Sequence, residues 1–161
     1  MGSTSDLPVM EKAMKFLDDM QVPFEVNALS AHRTPDAVER FAKGARERGI
    51  RVIIAGAGMA AALPGVIAAQ TPLPVIGVPI KGSVLDGVDA LYSILQMPPG
   101  IPVATVAING AMNAAILACQ MLALADHDLA RKMDDYKATL GGKIEKANKD
   151  LAEVKYQCKT N

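Results

Sequence analysis

Histidine is the side chain best suited to proton transfer near neutral pH, and this sequence contains two of them. His127 lies between two aspartates at a predicted helix start, which is typical of a solvated surface residue. His32 precedes Thr34 and Pro35, a pattern that predicts a helix N-cap followed by the first helical residue. His32 lies beside Arg33 among the anion-binding candidates, and a neutral imidazole there is able to accept a proton. We therefore predict that His32 is an acid–base residue.

Groups that bind anions occur in two short segments. Residues 2–6 read Gly-Ser-Thr-Ser-Asp, and residues 30–33 read Ser-Ala-His-Arg. Hydroxyls and backbone N–H groups of such turns can surround a phosphate, Arg33 can bind it with two parallel hydrogen bonds, and Asp6 can accept from ribose hydroxyls. These segments predict a site for a compact phosphorylated sugar, although glycines such as Gly2 and Gly56 can equally serve only to permit tight turns.

Other kinds of catalytic site have little support in the sequence. Residues 56–58 read Gly-Ala-Gly, but the third glycine of a dinucleotide fingerprint is absent and no suitably placed acidic residue follows the next strand. The chain has no Gly-x-Ser-x-Gly nucleophile motif and no spacing of histidines, cysteines and carboxylates typical of a metal site. We therefore predict an acid–base reaction without cofactor or metal.

The elements that would position these residues follow an alternating strand and helix pattern. Apolar runs at 51–55, 74–78 and 102–108 predict interior parallel strands, and the more polar run at 24–29 predicts a strand nearer an edge. Helical patterns follow, including one at 35–48 and one capped by Asp6. The pattern predicts an α/β sandwich in which the turns leaving the carboxyl ends of the strands meet along one edge.

The last part of the sequence contains two long segments whose patterns predict structure. Residues 101–125 carry no charge, but Pro102 and several polar residues interrupt them, so a buried strand, turn and helix are favoured over a membrane span. Residues 126–157 have amphipathic helical spacing, with a break or bend expected at Gly141 and Gly142. We predict a domain at 1–125 and a helical extension at 126–161 that packs on its own domain or on a neighbouring subunit.

Composition excludes several classes of partner. The 17 basic and 17 acidic residues cancel, and no basic block indicates nucleic-acid binding. Cys119 and Cys158 are far apart, which favours reduced thiols and a cytoplasmic protein. The first six residues have neither the basic start nor the apolar stretch of a signal peptide.

The same turns resemble a known family, the class I 5-(carboxyamino)imidazole ribonucleotide mutases of de novo purine synthesis, within the AIR carboxylases. The resemblance covers residues 1 to about 124 and includes many motifs in the family's order and spacing. They are Met-Gly-Ser-Thr-Ser-Asp at 1–6, Ser-Ala-His-Arg-Thr-Pro at 30–35, Ile-Ala-Gly-Ala-Gly at 54–58, Leu-Pro-Gly at 63–65, Pro-Val-Ile-Gly-Val-Pro at 74–79, Gln-Met-Pro at 96–98 and Gly-Ile-Pro-Val-Ala-Thr-Val at 100–106.

This resemblance implies a flavodoxin-like three-layer αβα domain, an octamer and no cofactor. It implies conversion of a carbamate on the exocyclic amine into a carboxylate on the imidazole ring, with carbon dioxide transiently trapped and His32 as the proton shuttle. By similarity, the substrate-binding residues would be Ser3, Asp6 and Arg33 at the ribose phosphate, Ser5 and Ser30 as further hydrogen-bonding groups, and the turn containing Gly56, Gly58 and Leu63 around the base.

The sequence departs from the family pattern in two places. Ala62 stands where most class I members carry a second histidine, and Met59 stands where a glycine is usual. The family also has an apolar strand immediately before Met-Gly-Ser, whereas this sequence begins at Met1. We expect either that the chain given is shortened or that its sheet lacks the strand that would support the first turn.

Three competing functions follow from these observations. A class II relative would carboxylate the aminoimidazole ribonucleotide directly with carbon dioxide, but Arg33 replaces the lysine expected there. The replacement of the second histidine by Ala62 motivates a non-catalytic nucleotide-binding module. A flavodoxin-type electron carrier would contain flavin, against which the scarcity of aromatic residues argues.

Overall fold

The fold is built around a parallel sheet with the strand order β1-β2-β3. The computed structural model describes residues 1–155, without the side chain of Lys143. Met1–Leu122 forms one compact unit, and the residues from Ala123 onward belong to a second. Cys158 and the predicted end of the last helix lie outside the described residues. The elements are α1 (Leu7–Asp19), α2 (Pro35–Gly44), β1 (Ile53–Gly58), α3 (Leu63–Ala68), β2 (Val75–Ile80), α4 (Val88–Leu95), β3 (Ala104–Thr105), α5 (Ala111–Ala123) and α6 (His127–Ala152).

The two central strands are β1 and β2, which pair in parallel from Ile53 opposite Val75 to Gly58 opposite Ile80. All residues of β2 are buried, as expected for a strand covered on both faces. The parallel sheet is therefore confirmed, although β1 extends three residues beyond its predicted end.

Helices cover both faces of the sheet, which confirms the three-layer α/β arrangement. Ile53, Ala55 and Ala57 of β1 belong to a buried cluster with residues of α2, α3 and α4. On the opposite face, α1 comes so close to β1 that a Cβ atom at Gly56 would lie 2.5 Å from the sulfur of Met10. A side chain at position 56 would force Met10 to shift, so Gly56 serves the packing of α1 on β1, a role that the sequence did not predict for it.

The strand predicted at 102–108 is reduced to the two residues of β3. Val106 donates its N–H to the carbonyl of Gly77, and Asn109 donates to the carbonyl of Pro79. Gly77 and Pro79 therefore face β3, but Pro79 has no N–H to donate in return. The ladder is interrupted at that residue, so the regular strand ends early.

The strand predicted at 24–29 is wrong as a regular element, because the structure assigns no strand there. Its neighbours are the first two residues of the chain. Met1 accepts from the N–H of Leu29 at 2.8 Å, and Gly2 donates to the carbonyl of Gly56 at 3.2 Å. The amino group of Met1 donates to the carbonyl of Asn27 at 2.9 Å. These bonds place the 2–6 turn directly beside β1.

The two residues predicted as N-caps lie at the starts of their helices, but their side chains form hydrogen bonds other than capping bonds. Thr34 is the N-cap of α2, and Asp6 is the N-cap of α1, yet neither side chain caps its helix. The hydroxyl of Thr34 instead donates to the carbonyl of Ser30 and accepts from its N–H, both at 3.1 Å. The carboxylate of Asp6 is directed back to the preceding turn. Both side chains therefore stabilise turns at the sheet edge.

Residues 101–125 form β3, a turn and α5, which confirms the predicted strand, turn and helix. No helix within residues 1–155 is both long enough and apolar enough to cross a membrane. Cys119 is buried on α5, and this burial raises the pKa of its thiol. A buried thiol with a raised pKa is poorly reactive at neutral pH.

The predicted break at Gly141 and Gly142 is wrong, because α6 continues through both residues from His127 to Ala152. Asp126 starts this helix, since its Oδ1 accepts from the N–H groups of Asp128 and Leu129, both at 3.0 Å. The exposed position of His127 at the helix start is confirmed. Where α6 packs stays a prediction.

Replacing both Gly141 and Gly142 by alanine should stabilise α6 by about 2 kcal/mol, since each glycine in a helix interior costs about 1 kcal/mol relative to alanine. Space permits the change, because a Cβ atom at either position would have no neighbour within 4 Å. Amide hydrogen exchange within α6 measures the effect. The matched control, Ala138→Gly on the same helix, should accelerate exchange. Unchanged or faster exchange in the double variant would contradict this prediction.

Candidate functional site

The first turn, residues 2–6, is organised by a buried carboxylate. Oδ2 of Asp6 accepts from the N–H groups of Gly2 at 3.1 Å and Ser3 at 3.2 Å. The hydroxyl of Ser3 accepts from the N–H of Ser5 at 3.3 Å. Ser3 is half-buried and Ser5 is exposed, so hydroxyl groups border the solvent while Asp6 holds the backbone beneath them. Asp6 thus has a structural role in addition to the sugar-binding role predicted for it.

The histidine turn, residues 30–34, is held by Ser30 and Arg33. Oγ of Ser30 accepts from both the backbone N–H and Nε of Arg33, each at 3.2 Å. The N–H of Thr34 donates to the carbonyl of Ser30 at 2.8 Å. Because the hydroxyl of Ser30 accepts twice within the turn, its own hydrogen can be donated to a ligand.

Arg33 also joins the two turns. Its Nη2 donates to the carbonyl of Gly2 at 3.2 Å. Because Gly2 in turn donates to Gly56, both turns and β1 are tied together at the carboxyl edge of the sheet. His32 lies on the histidine turn and is exposed, so its imidazole is outside the core. The structure therefore brings together Ser3, Ser5, Asp6, Ser30, His32 and Arg33 at one edge.

The glycine turn, which was predicted to contain Gly56, Gly58 and Leu63, differs from expectation. Gly56 and Gly58 lie within β1, so the turn proper begins at Met59. Leu63 starts α3, and its side chain belongs to the buried core. A ligand at this edge could therefore contact the backbone near Leu63, while its side chain serves packing. Gly58 is half-buried at the end of the strand, next to the same edge.

Met59 and Ala61 adopt left-handed backbone conformations, with φ of +55° and +34°. Such conformations cost a residue other than glycine about 1 kcal/mol or more. The side chain of Met59 is exposed, which explains how a bulky residue is accommodated there. Ala62, which stands where a histidine is usual, is half-buried just before α3.

Sequence reasoning missed Lys81, at the end of the neighbouring strand β2. Lys81 directly follows β2, and its N–H donates to Oδ1 of Asn109 at 3.0 Å. Its ammonium group pairs with Asp86 at 2.8 Å. A lysine immediately after a buried parallel strand was a signal for this edge.

The electrostatics of the edge combine cationic groups with the buried carboxylate of Asp6. Burial lowers the pKa of the Met1 amino group below its usual value, and the carboxylate of Asp6 opposes part of that effect. Arg33 carries positive charge on the histidine turn, and Lys81 carries it directly after β2. Within residues 1–155, no three His, Cys, Asp or Glu side chains converge as a metal site requires. The arrangement is therefore suited to bind a phosphate beside an exposed imidazole.

Comparison with known proteins gives a consistent result. The AIR carboxylase family model matches residues 1–143. The N5-carboxyaminoimidazole ribonucleotide mutase of Thermotoga maritima is 52% identical over 157 residues, covering 98% of this chain and 92% of that protein. The enzyme of the same name from Pyrococcus horikoshii is 53% identical, covering 98% of this chain and 89% of its own length.

Fungal and structural relatives extend the comparison. The phosphoribosylaminoimidazole carboxylase of Candida glabrata is 61% identical over 136 residues, which are 84% of this chain. The chain spans 24% of that longer protein. The crystal structure of Treponema denticola PurE superposes with a TM-score of 0.83 at 29% identity, covering 94% of each chain. The Treponema denticola protein therefore shares the fold over nearly the whole chain.

Proposed function

Because this chain belongs to the AIR carboxylase family, we propose that it is an isomerase of purine synthesis. Its substrate is 5-(carboxyamino)imidazole ribonucleotide, and its product is 4-carboxy-5-aminoimidazole ribonucleotide. The mutases of Thermotoga maritima and Pyrococcus horikoshii support this reaction because the similarity covers nearly the whole of each chain. The observation that carries the proposal is the bond from Arg33 to Gly2, which joins the turn of His32 to the serine-rich first turn.

Phosphate binding is the task of the two joined turns. The hydroxyls of Ser3, Ser5 and Ser30 and the charge of Arg33 bind the phosphate of the ribonucleotide, while Asp6 holds the first turn and is available to the ribose. Guanidinium bonds to phosphate are charge-assisted and so among the stronger hydrogen bonds. The base then extends toward the end of β1, where the backbone of Gly58 and the turn before Leu63 enclose it.

His32 moves the proton of the rearrangement. The bond between the exocyclic nitrogen and the carbamate carbon breaks, releasing carbon dioxide that stays trapped in the site. The ring carbon attacks that carbon dioxide and forms the new carbon–carbon bond. His32 takes the proton lost from the ring carbon and delivers it to the exocyclic nitrogen. Excluding water matters because free carbon dioxide would diffuse away or hydrate. These bond changes and the proton transfer balance without a cofactor.

Assembly into a homo-oligomer, with an octamer as the expected state, is part of the proposal. Val88, Tyr92 and Leu95 form an exposed stripe on α4, and Val84 is 84% exposed. Contiguous exposed apolar surface on a protein typically marks an interaction site. Leu140, Ile144 and Leu151 are exposed on α6, which supports packing of the extension on a neighbouring subunit. The proposed location is the cytoplasm, where purine synthesis takes place.

A product assay with both ribonucleotides tests the proposed reaction. The purified protein should convert the carbamate substrate to the 4-carboxy product without added bicarbonate. The uncarboxylated aminoimidazole ribonucleotide should give product only when carbon dioxide is supplied in excess. Absorbance of the product measures both reactions, and a visible spectrum of the protein checks for flavin. No conversion of the carbamate substrate would overturn the proposal.

Direct carboxylation is the second candidate, because the Candida glabrata relative is named a carboxylase. That reaction predicts product from the aminoimidazole ribonucleotide and carbon dioxide, with no conversion of the carbamate. A non-catalytic binding module predicts tight ribonucleotide binding with no product from either compound. The two assays therefore separate all three functions.

A further inference from the structure

A second cation lies at the same edge of the sheet as Arg33. Ile80 is the last residue of β2 and pairs with Gly58, so Lys81 follows directly at the carboxyl end. We propose that Lys81 binds the carboxylate carried by the base and thereby distinguishes carboxylated from uncarboxylated ribonucleotides. This inference rests on the proposed function, because it takes the phosphate to be bound at the first turn.

The backbone of Lys81 is fixed from two sides. Its N–H donates to Oδ1 of Asn109, and the N–H of Asn109 donates to the carbonyl of Pro79 at 2.8 Å. Gly87 packs against it so closely that a Cβ atom there would lie 3.0 Å from the Cα of Lys81. Lys81 therefore starts from a defined position although it leaves the sheet.

The distance from the first turn, which Arg33 contacts, to Lys81 suits a ribonucleotide. Gly2 lies beside one edge of β1, and β2 pairs with the other edge of β1. Two strand spacings, or about 10 Å, therefore separate the first turn from Lys81. This separation is comparable with the length of a ribonucleotide from its phosphate to a substituent on its base. The glycine turn lies between them and touches the loop of Lys81, since Met59 Cγ would be 3.8 Å from a Cβ atom at Gly82.

The charge of Lys81 is available to a ligand. Its partner Asp86 belongs to the same loop, and the side chains are 56% and 77% exposed. Exposed ion pairs contribute little to stability, so a substrate carboxylate can replace Asp86 at small cost. The resulting ammonium–carboxylate bond would form on the reacting end of the base, opposite the phosphate. Asp86 then acts as an internal competitor for the same cation.

Calorimetric titration with two ligands tests this inference. The wild-type protein and Lys81→Met are each titrated with the aminoimidazole ribonucleotide and with its 4-carboxy derivative. We expect Lys81→Met to weaken binding of the 4-carboxy ligand roughly tenfold or more, because it loses a charged hydrogen bond, while binding of the uncarboxylated ligand is unchanged. Asp86→Asn should strengthen binding of the 4-carboxy ligand about twofold to fivefold by removing the competitor.

Lys43→Met is the matched control, since Lys43 is an exposed lysine paired with Glu39 near the end of α2, away from the carboxyl edge. It should bind both ligands as the wild type does. Equal affinities of Lys81→Met and wild type for the 4-carboxy ligand, or equal weakening of both ligands, would overturn the role of Lys81. Failure of the wild-type protein to bind either ribonucleotide would instead overturn the proposed function, and this inference with it.

Discussion

Replacing His32 by asparagine is expected to lower kcat about 10³-fold while leaving substrate affinity within a factor of about two, because proton transfer by a positioned side chain contributes roughly 10²–10⁴-fold. Asparagine keeps a polar side chain of similar size but cannot accept and release a proton at neutral pH. Steady-state kinetics give kcat, and titration with the 4-carboxy product gives the affinity.

The position of His32 makes this experiment clear to interpret. The residue is exposed on the histidine turn, outside the core, so His32→Asn should fold normally and unfold at the wild-type temperature. His127→Asn is the matched control, because His127 is an exposed histidine at the start of α6. It should leave kcat unchanged. Full turnover by His32→Asn would mean that another group moves the proton.

Replacing Arg33 by methionine is expected to raise KM about 10²-fold, because it removes a guanidinium that can form two charge-assisted bonds to phosphate, each contributing about 1.5–3 kcal/mol. The change also removes the bonds to Ser30 Oγ and to the carbonyl of Gly2. The histidine turn would then be less firmly held beside the first turn, so kcat should fall as well. Measurement of both constants with the carbamate substrate gives the two effects.

Two further substitutions separate the charge of Arg33 from its geometry. Arg33→Lys keeps the positive charge but cannot reach Ser30 and Gly2 with a planar fork, so its KM should lie between those of wild type and Arg33→Met. Arg46→Met removes an exposed arginine beyond the end of α2 and should leave KM unchanged. A KM for Arg33→Met equal to that of wild type would mean that the phosphate is bound elsewhere.

Local pattern was sufficient to predict the central elements. Buried apolar runs predicted β1 and β2 because a parallel strand covered on both faces has no need of polar residues. The helical spacing predicted α2 because its buried residues, Val38 and Ala42, recur at helical intervals. The predictions of strands were wrong where hydrogen-bond partners distant in sequence decide the structure. Pro79 interrupts the ladder to β3, and the run at 24–29 forms no regular strand.

The sequence by itself determined which residue types could do chemistry and, through the strand and helix order, that their turns would share one edge. Tertiary structure alone decided which atoms they use: Asp6 and Thr34 bind their own turns, Leu63 enters the core, and Arg33 reaches Gly2 across 31 positions of sequence. It also brought Lys81 to the edge through the pairing of β1 with β2. The physical reason is that periodicity and residue type report local burial and turns, whereas hydrogen-bond partners distant in sequence are chosen only when the strands pair and the chain closes on itself.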